Sequence, residues 1–406
     1  MLCHNLKVVT QTKGMKTMMF RSAGSLTRMW AALILIIMPL TLLAETDDQK
    51  EIRIGKEAVQ QVEKEIKLVK DPVLIARLEK VGKPLAQIAC NTQIHALWGN
   101  SRLSKFEYTF KVVDDKSVNA FSLPGGTIYV HTGLLNFVES DDELAGVLAH
   151  EIAHASHHHF MELTKKQSRL SLETLLPILL VLIAVKAPTE DTVNILQGTQ
   201  LYQTAQLNNY GQDAEKDADS TGMIYMIKAG MNPVGMYTFL DRLRKEDMLK
   251  PNINWGIFRT HPPTEERSAN MIKALNDANI PINPSEVSSS IRVDARPVPD
   301  TQPPIFEVFF DNVSLFRPAT EQVIGLSETR AKAIASKLNK YFDSGPEIFE
   351  VKASSNGKQI LILNQVLTEV TTADAVLAAV SQEQLLSNAL TAFRDAVRKY
   401  RLKRAA

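Results

Sequence analysis

The stretch GVLAHEIAHASHHHF, residues 146–160, holds five of the chain's nine histidines and one glutamate. On an α-helix, residues i and i+4 share a face, about 6 Å apart along the axis. His150 and His154 can therefore aim two imidazole nitrogens at one ion. Glu151 projects from the neighbouring angle, close to such an ion and not bound to it. Two histidines and a carboxylate at this HExxH spacing suit a metal centre whose glutamate takes a proton from water. The plain alternative is a polar helix face that happens to be rich in imidazole.

A catalytic zinc takes three protein ligands and keeps one position open. A third histidine at HExxHxxGxxH spacing is excluded, because Phe160 stands at the ligand position and His157 at the glycine position. A glutamate from a later helix is the other source, and EKDAD supplies one. Glu215 and Asp219 share a face at i,i+4. Glu215 can bind the ion, and Asp219 can accept the second N–H of a ligand imidazole and fix its tautomer. A solvated acidic helix face has the same spacing. His157, His158 and His159 continue the first helix and read as surface residues or partners of the ligands, an added metal ligand being the lesser reading.

These residues need helices to hold them. Ser140 and Glu143 match a capping box, and Leu144, Val147 and Leu148 follow at helical spacing, so a helix starts near residue 141. EKDAD lies on a helix that stops at Gly230, before Asn232-Pro233, and another runs from about Val234 to Lys245. Upstream, two amphipathic helices break at Asp71-Pro72. KFEYTFKVVDD and GGTIYVHTGLL read as strands joined by KSVNAFSLPGG.

The chain's 406 residues and 45% apolar content allow two or three domains. A net charge of +1 and 6% aromatics argue against a nucleic-acid partner. Five basic residues precede the apolar run MWAALILIIMPLTLLA, residues 29–44, which marks 1–44 as an export signal, with an uncleaved membrane anchor as the alternative. Cys3 would leave with that signal, and Cys90 reads as a buried structural thiol. LLPILLVLIAV, residues 175–185, is too short to cross a bilayer and reads as a core helix or a flap making peripheral membrane contact beside the site.

Proline and serine mark 284–304 as a linker. Beyond it, residues 305–406 read as a small α+β domain of two strand–strand–helix units, with a hairpin at Asn356-Gly357. Its basic end, RKYRLKR, reads as a solvated helix terminus, contact with anionic lipid being the alternative.

NAFSLPGG, ELAGVLAHEIAH, EKDADSTG…AGMNP and THPPTEER occur in that order between about residues 49 and 280. The set resembles the zinc metallopeptidase family of HtpX, the CAAX prenyl endopeptidase and periplasmic BepA. The resemblance implies a mainly helical, gluzincin-like α+β peptidase domain over 45–283, with a small sheet. It implies one zinc per subunit on His150, His154 and Glu215, with Glu151 as base. It also implies that Asn119, Ala120 and Phe121 lie on an edge strand that pairs with extended substrate. An edge offers backbone groups to any sequence, and Gly125-Gly126 permits close approach.

His261 and Arg267 fall on the family's HP…R motif. His261 then either donates to the oxyanion or caps the zinc in a resting state, and Arg267 pairs with an acid; the alternative is a histidine starting a Pro-bounded turn. Gln212 stands where the family often has arginine, and the helical repeats that end some relatives are not legible here. Residues 305–402 are similar instead to a small periplasmic module that precedes some cyanobacterial-type mechanosensitive channels. The expected function is a zinc endopeptidase of the periplasm, or anchored in the inner membrane facing it. Its partners are protein or peptide substrates, misfolded or misassembled envelope or outer-membrane proteins. A non-catalytic envelope chaperone or adaptor using the same cleft is the rival.

Overall fold

The computed structural model describes residues 45–166, 201–249, 261, 264–323 and 325–405. The expected signal over 1–44 and the apolar run at 175–185 lie outside these residues. Among the described residues, no helix is long and apolar enough to cross a membrane.

Helix α1 (Asp47–Glu65) starts from a capping box between Thr46 and Gln49. Asp71 caps α2 (Pro72–Asn91) by accepting from Val73 N, with Pro72 in the first turn, where its missing N–H costs nothing. Strands β1 (Leu68–Val69), β2 (Thr109–Val113), β3 (Ala120–Leu123) and β4 (Thr127–His131) form a sheet in the order β1-β2-β4-β3. β2 and β4 run parallel, and β3 pairs antiparallel with β4, Ala120 opposite Val130. The stretch joining the two expected strands thus carries a strand of its own, at the sheet's edge. Cys90 is half-buried, its thiol donating to Phe106 O at 3.5 Å, and burial pushes that thiol's pKa up.

After α3 (Thr132–Phe137) comes α4 (Asp141–Ser156). Ser140 Oγ accepts from Glu143 N at 3.1 Å, but the box is left half made. The Glu143 carboxylate accepts instead from Glu139 N at 2.7 Å and from Arg242 Nη2 at 2.6 Å. Leu144, Leu148, Ala149, Ile152 and Ala153 are fully buried, so α4 is a core helix with almost no solvent face. α6 (Leu201–Lys228) and α7 (Val234–Leu249) pack on it, following α5 (His159–Lys166). Gly146 and Gly235 let α4 and α7 meet backbone to backbone: a Cβ on Gly146 would lie 2.6 Å from Met236 Cα. α8 (Glu265–Asp277), capped by Thr264, covers α6 and α7.

A second apolar core, with Phe310, Leu338, Phe342, Phe393 and Tyr400, belongs to the C-terminal part. Two antiparallel three-stranded sheets flank it. One joins β5 (Val293–Pro297), β6 (Phe306–Phe310) and β7 (Val313–Phe316), and α10 (Ser327–Asp343) follows. The other joins β8 (Val351–Ala353), β9 (Gln359–Ile362) and β10 (Gln365–Glu369), and α11 (Thr372–Leu377) and α12 (Gln382–Ala405) follow. The middle and last strands of each sheet turn through two residues of positive φ, Asp311-Asn312 and Leu363-Asn364. Each repeat therefore has three strands rather than the two expected.

The reading of 284–304 as a linker is corrected here. The segment holds α9 (Pro284–Val287) and β5, which pairs with β6 from Val293↔Phe310 to Pro297↔Phe306. Its serines serve as partners: Ser285 Oγ donates to Asp343 Oδ2 at 2.6 Å, and Ser288 Oγ to Glu139 Oε2 at 2.5 Å. The basic terminus is not simply solvated either. Lys245 Nζ on α7 donates to the Lys403 and Arg404 carbonyls at 3.2 and 2.8 Å, and Arg404 Nη1 lies 3.2 Å from Asp241 Oδ2.

Candidate metal centre

His150 and His154 stand one turn apart on α4, their Nε2 atoms 3.0 Å from each other. α6 brings Glu215 against both: Oε2 is 3.3 Å from His150 Nε2, and Oε1 is 3.2 Å from His154 Nε2. Nitrogen and oxygen ligands at about 2.0–2.1 Å from a tetrahedral ion lie roughly 3.3 Å from one another. Each imidazole nitrogen stands at about that distance from one oxygen of the Glu215 carboxylate and from the other nitrogen.

The outer nitrogens decide what the inner ones offer. His150 Nδ1 faces Asp219 Oδ1 at 2.9 Å. An ionised carboxylate only accepts, so the proton belongs on Nδ1 and the lone pair on Nε2. His154 Nδ1 meets His159 Nδ1 at 2.8 Å. Two imidazole lone pairs and a carboxylate so close together repel unless a cation joins them. Burial lowers the basicity of His150, but Glu215 and Asp219 raise it to about 10, whereas burial takes His154 down to about 4. A divalent ion would serve both rings and the carboxylate together. The donor set fits zinc.

Arg267 secures the acids. Its Nε and Nη2 donate to Asp219 Oδ2 and Oδ1, both at 2.7 Å, and its Nη1 lies 2.9 Å from Glu215 Oε2. Burial raises the pKa of Glu215, yet His261, Arg267 and His150 hold it well below the usual range. His261 enters the same cluster, Nδ1 lying 2.7 Å from Glu215 Oε1 and 3.2 Å from His150 Nε2. Its Nε2 is 3.3 Å from Glu151 Oε1, a buried oxygen with no hydrogen bond among the described residues. Met236, Phe239 and Leu240 of α7 and Met271 of α8 wall a small cavity beside these groups.

The strand residues stand apart. Asn119 precedes β3, fully buried, with both amide atoms lacking hydrogen-bond partners among the described residues. Ala120 and Phe121 lie on β3. The Phe121 ring stacks on Tyr129 at 4.9 Å in a small core against α1, and its backbone pairs with Tyr129 of β4.

The three histidines after α4 are not surface residues; each is at most 5% exposed. α4 ends at Ser156 and His158 takes φ 57°, so the helical phase is lost and the side chains diverge. His158 Nδ1 pairs with Glu51 Oε2 on α1 at 2.5 Å. His157 and His159 turn to Asp217, which lies on the other side of α6 from Glu215 and Asp219 and so carries no i,i+4 signal with them. Burial lowers the basicity of His159 despite Asp217. Burial would raise the Asp217 pKa, but hydrogen bonds from His157 and His159 hold it below the usual carboxylate range.

Residues 84–275 match peptidase family M48, and residues 307–400 match a domain of unknown function. The chain is 27% identical over 241 residues to the beta-barrel assembly-enhancing protease of Escherichia coli (strain K12), a match covering 59% of this chain and 46% of that protein. The protease of the same name from Yersinia pestis is 26% identical over 232 residues, 57% of this chain and 44% of that one. The mitochondrial metalloendopeptidase OMA1 of Arabidopsis thaliana is 31% identical over 190 residues, 47% of this chain and 35% of that one. The chain spans less than half the length of each of these relatives.

Proposed function

We propose that this chain, which carries a peptidase family M48 domain over residues 84–275, is a zinc-dependent endopeptidase of the cell envelope that cleaves misfolded or misassembled proteins. One observation carries the reading: two imidazole Nε2 atoms and the Glu215 carboxylate converge within 3.0–3.3 Å, each ring oriented from behind. Held by His150, His154 and Glu215, zinc would supply Lewis acidity to the scissile carbonyl and acidify the attacking water.

The chain's own groups do the rest. Glu151, its Oε1 buried and without a hydrogen bond among the described residues, takes the proton of the attacking water and delivers it to the departing amine. β3, at the sheet edge, pairs with substrate in extended form, which selects unfolded segments over packed ones. His261, seated among the metal donors, would either hold the open position in a resting state or donate to the oxyanion. The basic residues before the apolar run at 29–44 support export to the periplasm. The relatives' name, beta-barrel assembly-enhancing protease, supports outer-membrane proteins as the substrates.

The test is zinc content and casein cleavage of the purified chain. One zinc per chain and cuts at internal bonds are expected, with Glu151→Gln keeping zinc and losing cleavage. A chain without zinc, or a fully active Glu151→Gln, overturns the proposal. N-terminal mass spectrometry of envelope proteins from cells carrying either form then identifies substrates. Equal rescue of a deletion by both forms favours the non-catalytic chaperone.

A further inference from the structure

His159 and Asp217 have no part in the reaction described above, yet they stand directly behind one of its ligands. His159 Nδ1 is 2.8 Å from His154 Nδ1. Its Nε2 meets two oxygens, Asp217 Oδ2 at 2.9 Å and the Trp98 carbonyl at 3.1 Å. Both oxygens only accept, so Nε2 carries the proton. In the neutral ring, Nδ1 is then a bare acceptor, and the proton between the two histidines belongs to His154 Nδ1. It follows that His154 Nε2 presents a lone pair to the ion.

Asp217 is itself fixed. It is fully buried, its Oδ1 accepts from Leu97 N at 2.6 Å, and its Oδ2 accepts from His157 Nδ1 at 2.6 Å as well as from His159. The loop that carries Leu97 and Trp98 fits closely over the pair. Gly99, at φ 103°, leaves no room for a Cβ, which would lie 2.5 Å from His157 O and 2.7 Å from His159 Cδ2.

We infer that His159 and Asp217 are positioning residues for the metal ligand His154, forming the relay His154 Nδ1–H to His159 Nδ1, then His159 Nε2–H to Asp217. The inference rests on the zinc reading above. Under it, the two ligand histidines are oriented by different means. His150 faces its carboxylate, Asp219, directly; His154 reaches Asp217 through an intervening ring. Partners of this kind typically contribute 10–100-fold in metal affinity.

The test is zinc affinity of the full chain, by competition with a chromophoric chelator, together with the visible spectrum of the cobalt-substituted protein. His159→Phe keeps the ring and removes both nitrogens; Asp217→Asn keeps the volume and carries the test should His159→Phe fail to fold. Each should weaken zinc binding about 10- to 100-fold and shift the cobalt bands. His159→Gln, which can accept from His154 and donate to Asp217, should restore most of the affinity. Wild-type affinity in folded His159→Phe or Asp217→Asn overturns the inference, as does His159→Gln as weak as His159→Phe. Two zinc ions per wild-type chain, one lost in Asp217→Asn, also overturn it, in favour of a second metal site on His157, His159 and Asp217. A wild-type chain that binds no zinc overturns the peptidase reading first and this inference with it.

Discussion

Arg267 grips Asp219 with two parallel hydrogen bonds of 2.7 Å while a third nitrogen lies 2.9 Å from Glu215. All three side chains are buried. The arginine offsets the charge of two carboxylates one turn apart on α6 and, through Asp219, sets the ring of His150. Arg267→Ala deprives those buried carboxylates of their permanently charged partner, and breaking such a buried pair costs about 3–5 kcal/mol. Denaturant unfolding of the zinc-free protein should show the loss. Arg267→Lys should restore only part of it, because an ammonium keeps the charge and forfeits the two-pronged contact. Equal stability of the lysine form and wild type would count against this role.

Removing metal should separate chemistry from fold. Chelation should abolish casein cleavage, and one equivalent of zinc should restore it. In the zinc-loaded protein, Glu151→Gln should lower kcat by at least about 10²–10⁴-fold, the usual contribution of a positioned general base, with zinc content unchanged. A Glu151→Gln protein that loses zinc in parallel would make Glu151 a structural residue rather than the base.

The two roles open to His261 predict opposite signs. Its Nδ1 lies among the metal donors, 2.7 Å from Glu215 Oε1. A cap on the open position competes with substrate, so His261→Ala should raise the rate of cleavage at low substrate. An oxyanion donor would instead cost about 10²–10³-fold in kcat when removed. Initial rates across a substrate series decide between them.

Much of this site was legible because helical spacing encodes a shared face. HEIAH and EKDAD each give two side chains at i,i+4, and α4 and α6 present them toward one another. Asp217 was not legible, since two residues along a helix point to opposite sides, and its partners come after α4 has ended. His158 leaves the helix at φ 57°, and no periodicity in HHH announces that. The C-terminal repeat showed its β-branched and aromatic strands and its turn signals. Its first strand, VDARP, has few apolar residues and sat within a stretch whose proline and serine content suggested a linker. Composition could not report that Ser285 and Ser288 find half-buried acids, Asp343 and Glu139.

Those contacts change what truncation should do. Glu139, which with Arg242 holds the start of α4, accepts from Ser288 Oγ and from Ser290 N at 2.8 Å. A chain of residues 45–283 loses both, together with the clasp of α12 on α7. It should melt several degrees below the full chain even with zinc present. The clasp can be measured by itself. Arg404 lies 3.2 Å from Asp241 Oδ2 and 3.3 Å from the Tyr237 hydroxyl, and α7 also supplies Met236, Phe239 and Leu240 to the wall beside Glu151. Burial lowers the pKa of Lys245 while Asp241 raises it, so Asp241→Ala leaves two cations facing each other. A double-mutant cycle between Arg404→Ala and Asp241→Ala should give a coupling of about 1 kcal/mol, as for a partly shielded ion pair. Zero coupling would mean that the C-terminal helix rests against α7 without bracing it.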